Sequence, residues 1–188
     1  LVPGKGDLDA AVRDLALFLH QMHLKAGNPK RATEVLESLR QVEKDPVAVL
    51  LMLLSIYKSA GDKEAHFRTT RLLHESSPAN FEYGMNYADL LLKGGNENGA
   101  EEVWLKLLPH QSSSVTLVNA LLDRAKAHFE SADPARLDRT ISILRTIVGT
   151  TLLDTKEARL LLARGLMKTS RVDEAIALLQ AIEGGGYP

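Results

Sequence analysis

Cysteine is missing from this 188-residue sequence, so the chain has neither disulfide bonds nor thiolate metal ligands. An excess of either charge is also missing, because 23 Lys and Arg residues are balanced by 24 Asp and Glu residues. A nucleic-acid-binding domain usually has a strong basic excess, so we expect no nucleic acid partner. The longest apolar run, residues 47–54, is far shorter than the roughly 20 residues of a membrane-spanning helix, and we expect no membrane insertion.

Signatures of catalysis are lacking as well. The sequence contains no nucleophile elbow, no glycine loop that cradles a phosphate and no zinc-protease helix. His20 and His23 lie one helical turn apart, but no further ligand follows at a spacing that completes a metal site. The sequence therefore predicts no catalytic residue, no cofactor and no metal, and we expect that the chain is not an enzyme.

Glycine recurs at a fixed interval along the first half of the chain. Gly27, Gly61 and Gly95 lie 34 residues apart, and each is followed by a residue that caps helices, namely Asn28, Asp62 and Asn96. The same phase continues more loosely at Ala132-Asp133 and Ser170-Arg171. A period of this length predicts five units, each a pair of helices joined by a tight turn.

Capping residues predict where the helices begin. Four of them directly precede a proline, at Asn28-Pro29, Asp45-Pro46, Ser77-Pro78 and Asp133-Pro134. Asn98 with Glu101 resembles a capping box, which would satisfy the backbone at another helix start. No stretch alternates apolar and polar residues long enough to suggest a strand. The sequence predicts ten helices, near 8–26, 29–43, 46–60, 63–76, 79–93, 97–108, 113–130, 134–148, 155–169 and 171–183.

The second helix of each unit has a small residue followed four positions later by a larger one. The pairs are Ala32 and Leu36, Ala65 and Thr69, Ala100 and Trp104, Thr140 and Leu144, and Ala175 and Leu179. Steps of this size place both residues on the stripe that meets the neighbouring helix. With the 34-residue period, this pattern resembles the tetratricopeptide repeat family, most clearly in units two, three and five.

The resemblance implies an all-α fold, a right-handed superhelical solenoid of about ten helices in antiparallel pairs. The units are expected near 7–45, 46–78, 79–110, 112–149 and 154–183, as one continuous domain spanning 7–183. Residues 1–6 and 184–188 are expected to be linkers in a longer, bacterial multi-repeat protein. A targeting segment would lie outside this chain, so the compartment, cytoplasmic or periplasmic, stays open.

The resemblance also implies that a protein or peptide partner binds on the concave face, which the first helix of each unit lines. An aliphatic row on this face consists of Leu17, Leu51, Met85, Leu122 and Leu160. Four residues later lies a polar ladder of Gln21, Ser55, Asp89, Lys126 and Arg164, with Lys168 near a helix end. We expect the partner's apolar anchors to meet the row while Lys126, Arg164 and Lys168 attract its acidic groups.

Several alternatives stay open at this point. The aliphatic row could instead pack between adjacent units. The function could be RNA binding, as in a related helical-repeat family, or the regulation or targeting of a larger enzyme. The last helix has apolar residues and no polar capping helix after it, which also predicts self-association through this helix.

Overall fold

The computed structural model describes residues 5–130 and 133–183. Ten α-helices and one 3₁₀ turn, Leu108–His110, occur in these ranges. The helices are α1 (Lys5–Lys25), α2 (Pro29–Val42), α3 (Val47–Ala60), α4 (Lys63–Ser76), α5 (Phe81–Lys93), α6 (Glu97–Leu107), α7 (Val115–Phe129), α8 (Pro134–Thr150), α9 (Lys156–Lys168) and α10 (Val172–Glu183). No strand is found in the described ranges, so the prediction of an all-α chain of paired helices is confirmed. None of these helices is both long and apolar enough to span a bilayer.

The helices belong to two compact units, Leu1–Ser77 and Pro78–Pro188. Unit 1 contains the hairpins α1–α2 and α3–α4, and unit 2 contains α5–α6, α7–α8 and α9–α10. Helix α1 begins at Lys5, inside the segment 1–6 that the sequence predicts to be a linker. Residues 1–4, the predicted linker 184–188 and Ala132 of the fourth predicted turn lie outside the described residues.

The periodic glycines end the first helix of their hairpins. Gly27, Gly61 and Gly95 have φ angles of 71°, 70° and 78°, a left-handed conformation that glycine adopts without steric penalty. In each turn the next residue's N–H bonds to a carbonyl oxygen five residues back, which satisfies the helix end. Ser170 takes the same place after α9, with φ 60°, although it has a side chain.

Side-chain caps start most second helices, but three of the caps that the sequence predicts do not form. Asp62 and Asn96 accept hydrogen bonds from Ala65 N and Gly99 N, but Asn28 caps nothing with its side chain. Helix α5 begins at Phe81 rather than just after Ser77, because Asn80 is the residue whose side chain accepts from Tyr83 N. Helix α6 likewise begins after Asn96, so the capping box predicted at Asn98 and Glu101 is wrong.

The predicted small–large pairs hold the hairpins together. Ala32, Leu36, Ala100 and Leu144 are fully buried, and Trp104 is nearly so. In unit 1, Leu36 and Leu39 of α2 form a core with Val49 and Leu53 of α3. Close approach of the small residues lets the large ones interdigitate, which buries the apolar area that stabilises each unit.

Candidate functional site

In unit 1 the predicted binding residues lie on α1 and α3. Leu17 is half-buried and packs against the core of α2 and α3, whereas Leu51 is 42% exposed. Gln21 and Ser55, one turn further along each helix, are exposed. In this unit Leu51, rather than Leu17, is the apolar residue that a partner could contact.

In unit 2 the aliphatic row lies on α5, α7 and α9 and is buried to different extents. Met85 is half-buried, Leu122 is 7% exposed and Leu160 is 39% exposed. Leu122 therefore belongs to the core of the unit, as the packing alternative requires. Leu160 is accessible to a partner.

Ion pairs within the protein already engage two members of the polar ladder, Asp89 and Lys126. Lys93 Nζ lies 2.5 Å from Asp89, one turn back on α5. Lys126 Nζ lies 2.7 Å from Glu157 on α9 and 3.8 Å from Asp123. The hydrogen bond with Glu157 raises the pKa of Lys126 above its ordinary value. A partner's carboxylate would have to compete with Glu157 for this ammonium group.

Helix α9 has a stripe of exposed apolar and cationic residues, which we call the α9 stripe: Leu160, Arg164, Met167 and Lys168. Their spacing of three and four residues places them on one side of the helix. Lys168 Nζ lies 4.1 Å from the ring centre of Phe129, a cation–π contact with the end of α7. Arg164 is exposed, and no carboxylate of the described residues is within ion-pair distance of it.

The two histidines that lie one turn apart do not assemble a site with other ligands. His20 is buried, and its Nδ1 donates a hydrogen bond to the carbonyl oxygen of Ala32 at 2.9 Å. This bond joins α1 to α2, so the imidazole has a structural contact. Over the described ranges, no three His, Cys, Asp or Glu side chains lie close enough to hold a metal ion.

Comparison with known proteins gives weak similarities to helical-repeat structures. No family model matches the chain, and no curated protein matches it either. MamA from Desulfovibrio magneticus RS-1 is 15% identical, with 96% of each chain covered and a TM-score of 0.38. A tetratricopeptide repeat protein from Parabacteroides merdae ATCC 43184 is 16% identical, with 97% of this chain and 72% of that chain covered and a TM-score of 0.43.

Because those similarities are weak, the fold assignment depends on the hairpins themselves. Four left-handed turns follow first helices, and small–large pairs recur in all five second helices. The described hairpins therefore have the turns and the small–large packing that the resemblance to tetratricopeptide repeats predicts.

One buried side chain in unit 2 does not follow from the tetratricopeptide pattern. Glu101 on α6 is fully buried, and its Oε1 accepts from Arg139 Nε at 2.5 Å while its Oε2 accepts from His128 Nε2 at 2.8 Å. Arg124 Nε lies 3.4 Å from the same Oε2, and another nitrogen of Arg124 lies 2.6 Å from Glu97. We call Glu101, Arg124, His128 and Arg139 the Glu101 cluster. It joins the hairpin α5–α6 to the hairpin α7–α8 that follows.

A signal for this cluster is present in the sequence. Glu101 directly follows Ala100 and precedes Trp104 by one turn, so it lies on the apolar stripe of α6. A carboxylate on such a stripe needs cationic partners, because an unpaired buried charge is strongly unfavourable. The partners lie 23 to 38 residues further along the chain, so the local pattern does not identify them.

A second polar network lies in unit 1. Tyr57 Oη on α3 donates to Glu37 Oε1 on α2 at 2.7 Å, and Arg40 donates to the other oxygen of Glu37 at 2.9 Å. Arg68 of α4 lies 3.7 Å from Glu37. Burial, together with the hydrogen bond to Glu37, raises the pKa of Tyr57 to about 12. The network connects three helices through one carboxylate.

Proposed function

We propose that this chain is a non-catalytic scaffold that binds a protein or peptide partner on the side formed by its first helices. The α9 stripe is the observation that supports this function best. Exposed apolar side chains next to unpaired cations are typical of surfaces that bind other proteins, since apolar anchors give affinity and charges give orientation. Leu160 and Arg164 together favour a partner segment in which an acidic residue lies near an aliphatic or aromatic one.

The other predicted residues differ in how accessible they are to a partner. Leu51, Ser55 and Gln21 in unit 1 are accessible, and a partner could contact them on that unit. Leu122 contributes to the core of unit 2, and Lys126 contributes only if a partner displaces Glu157. Within unit 2 we therefore expect α9, more than α7, to determine affinity.

Selection of binding peptides from a displayed random library tests this proposal. The selected sequences are expected to share an acidic residue close to an apolar anchor. Arg164→Glu should weaken binding of such a peptide by about tenfold, and Leu160→Ser by about fivefold, as measured by fluorescence anisotropy. Lys106→Glu is the matched control, because Lys106 is exposed on the second helix α6 and should leave the affinity unchanged.

Two results would contradict the proposal. One is a set of peptides whose affinity depends on neither Leu160 nor Arg164. The other is salt-sensitive retention of single-stranded RNA without any peptide binding, which would favour the RNA-binding alternative.

A further inference from the structure

Glu157 is an exposed carboxylate at the start of the α9 stripe. It lies in the first turn of α9, three residues before Leu160 and seven before Arg164. This spacing keeps Glu157 on the same side of the helix as these two residues. A helix rises by about 1.5 Å per residue, so Glu157 and Arg164 are roughly 10 Å apart along the helix axis. This side of α9 therefore begins with a negative charge and ends with positive ones.

Lys126 of α7 neutralises the charge of Glu157. Its Nζ lies 2.7 Å from Glu157 Oε1, whereas Asp123 on its own helix is 3.8 Å away. The hydrogen bond to Glu157 is the main cause of the raised pKa of Lys126, so this ammonium group stays charged at neutral pH. Glu157 thus binds Lys126 in the way that an acidic side chain of a partner would bind it.

The pair between Lys126 and Glu157 is not needed to hold α7 and α9 in place. Its two side chains are 42% and 60% exposed, and exposed ion pairs contribute little to stability. Helix α8 packs against both α7 and α9, and apolar residues of all three helices are buried, among them Leu121, Ile143 and Leu162. The ion pair can therefore open while the fold stays intact.

The cations at the other end of the α9 stripe have no such counter-ion. Within the part of the chain that the structure describes, no carboxylate lies within ion-pair distance of Arg164 or Lys168. A partner's acidic group can bind there without displacing a carboxylate. At Lys126 the same group must first displace Glu157, and it then lies beside a second negative charge, which is unfavourable.

We propose that Glu157 is a specificity-determining residue of the partner site, which masks Lys126 and confines the partner's acidic group to the Arg164 end of the α9 stripe. This role rests on the proposed function and adds a direction to the bound segment. The acidic residue of the segment lies towards the end of α9, and its apolar anchor contacts Leu160. A second acidic residue on the other side of the anchor gains no affinity, because the cation that it would meet is already paired.

Two peptide probes test this role of Glu157 by fluorescence anisotropy. The first is a fluorescein-labelled peptide from the displayed library with one acidic residue next to its apolar anchor. The second has an added glutamate on the other side of the anchor, about three residues from the first acid, since an extended chain spans roughly 10 Å in that length. The wild type should bind the second peptide no more tightly than the first. Glu157→Gln should bind the first as the wild type does and the second about fivefold more tightly.

Two further variants serve as controls. Glu102→Gln removes an equally exposed carboxylate from the second helix α6, so it should change neither affinity. In a chain with both Lys126→Gln and Glu157→Gln, most of the gain for the second peptide should be lost, because the cation that binds the added glutamate is gone. Thermal unfolding of these variants should match the wild type, since each of the three side chains is at least 42% exposed.

The possible outcomes separate this role from the proposed function. If peptides bind through Leu160 and Arg164 but Glu157→Gln leaves the ratio of the two affinities unchanged, the role of Glu157 is wrong and the proposed function stands. A gain that persists without Lys126 would also overturn the role, since loss of repulsion alone would then explain it. If no selected peptide depends on Leu160 or Arg164, the proposed function and the role of Glu157 both fail.

Discussion

Glu101 is a fully buried carboxylate that Arg124 and Arg139 of the following hairpin neutralise, and His128 of the same hairpin also bonds to it. Glu101→Gln keeps the shape of the side chain but removes its charge, so Arg139 loses its closest carboxylate and Arg124 keeps its pair with Glu97 but not the one with Glu101. We expect the free energy of unfolding to fall by about 3 kcal/mol, because breaking a buried pair exposes the desolvation penalty of the remaining charge. Urea denaturation followed by circular dichroism measures this loss.

The neighbouring Glu102 supplies the control for that measurement. Its side chain is 62% exposed, and the one ion pair that it forms with the described residues, to Arg139, spans 3.9 Å. Glu102→Gln should change the free energy of unfolding by less than about 0.5 kcal/mol. Equal losses of unfolding free energy in the two variants would show that the buried ion pairs of Glu101 do not contribute more than an exposed one.

The phenol of Tyr57 makes the free energy of unfolding depend on pH in the alkaline range. Its pKa is about 12 in the folded chain, above the ordinary value of 10.0, because burial and Glu37 disfavour the phenolate. A raised pKa contributes stability that is complete below the unfolded value and lost as pH rises towards the folded one. The wild type should therefore lose more stability than Tyr57→Phe between pH about 10 and about 12. Denaturant midpoints of the two proteins across this range provide the comparison, and parallel curves would refute the expectation.

Among the hairpin turns, the one that follows α9 is strained. Ser170 has φ 60°, whereas glycine occupies the same place in three other turns. A residue with a Cβ atom is disfavoured in this conformation by roughly 1 kcal/mol, so Ser170→Gly should raise the free energy of unfolding by about that amount. Thermal unfolding measures the gain.

The reverse exchange at an equivalent turn is the control. Gly95 has φ 78°, and a Cβ atom added there would meet no neighbouring atom within 4 Å, so only backbone strain opposes a side chain. Gly95→Ser should destabilise the chain by about 1 kcal/mol. If Ser170→Gly and Gly95→Ser shifted stability in the same direction, the account of these turns would be wrong.

At the level of helices, the sequence predicts the features that neighbouring residues determine, namely where each helix begins and ends. The glycine period and the small–large pairs give all ten helices with ends within three residues. The start of α5 differs because Asn80, rather than Ser77, accepts the hydrogen bond at that helix end. Pro78 makes Ser77 look like the cap of this helix, because proline is common at the first helical position. Proline is also compatible with a turn, and here the helix begins after Asn80.

The candidate site is harder to predict, because burial depends on the next hairpin. Leu122 and Leu160 occupy equivalent positions in the repeat, yet one is buried and the other is exposed. Lys126 has the residue type of a binding cation, but Glu157 on another helix already pairs with it. Contacts of this kind join residues far apart in sequence, and no periodic pattern encodes them.

For the whole chain, the two compact units imply separable folding. Unit 2 contains three hairpins, the Glu101 cluster and a buried core that includes Trp104, Leu121 and Ile147. We expect a fragment of residues 78–188 to be helical and to unfold cooperatively on its own, since repeat arrays are stabilised by contacts between neighbours. Circular dichroism during urea titration tests this, with the intact chain measured in parallel. A fragment without a cooperative transition would show that unit 2 needs unit 1 in order to fold.

The Glu101 cluster also restricts how this chain could be rearranged in evolution or in the laboratory. Repeat units are often treated as interchangeable. In this chain, however, the carboxylate of Glu101 on α6 pairs with cations of α7 and α8. A duplication, deletion or shuffling that placed a different hairpin after the third one would leave the buried carboxylate of Glu101 without these cations. We therefore expect the third and fourth hairpins to be exchangeable only together, as one block.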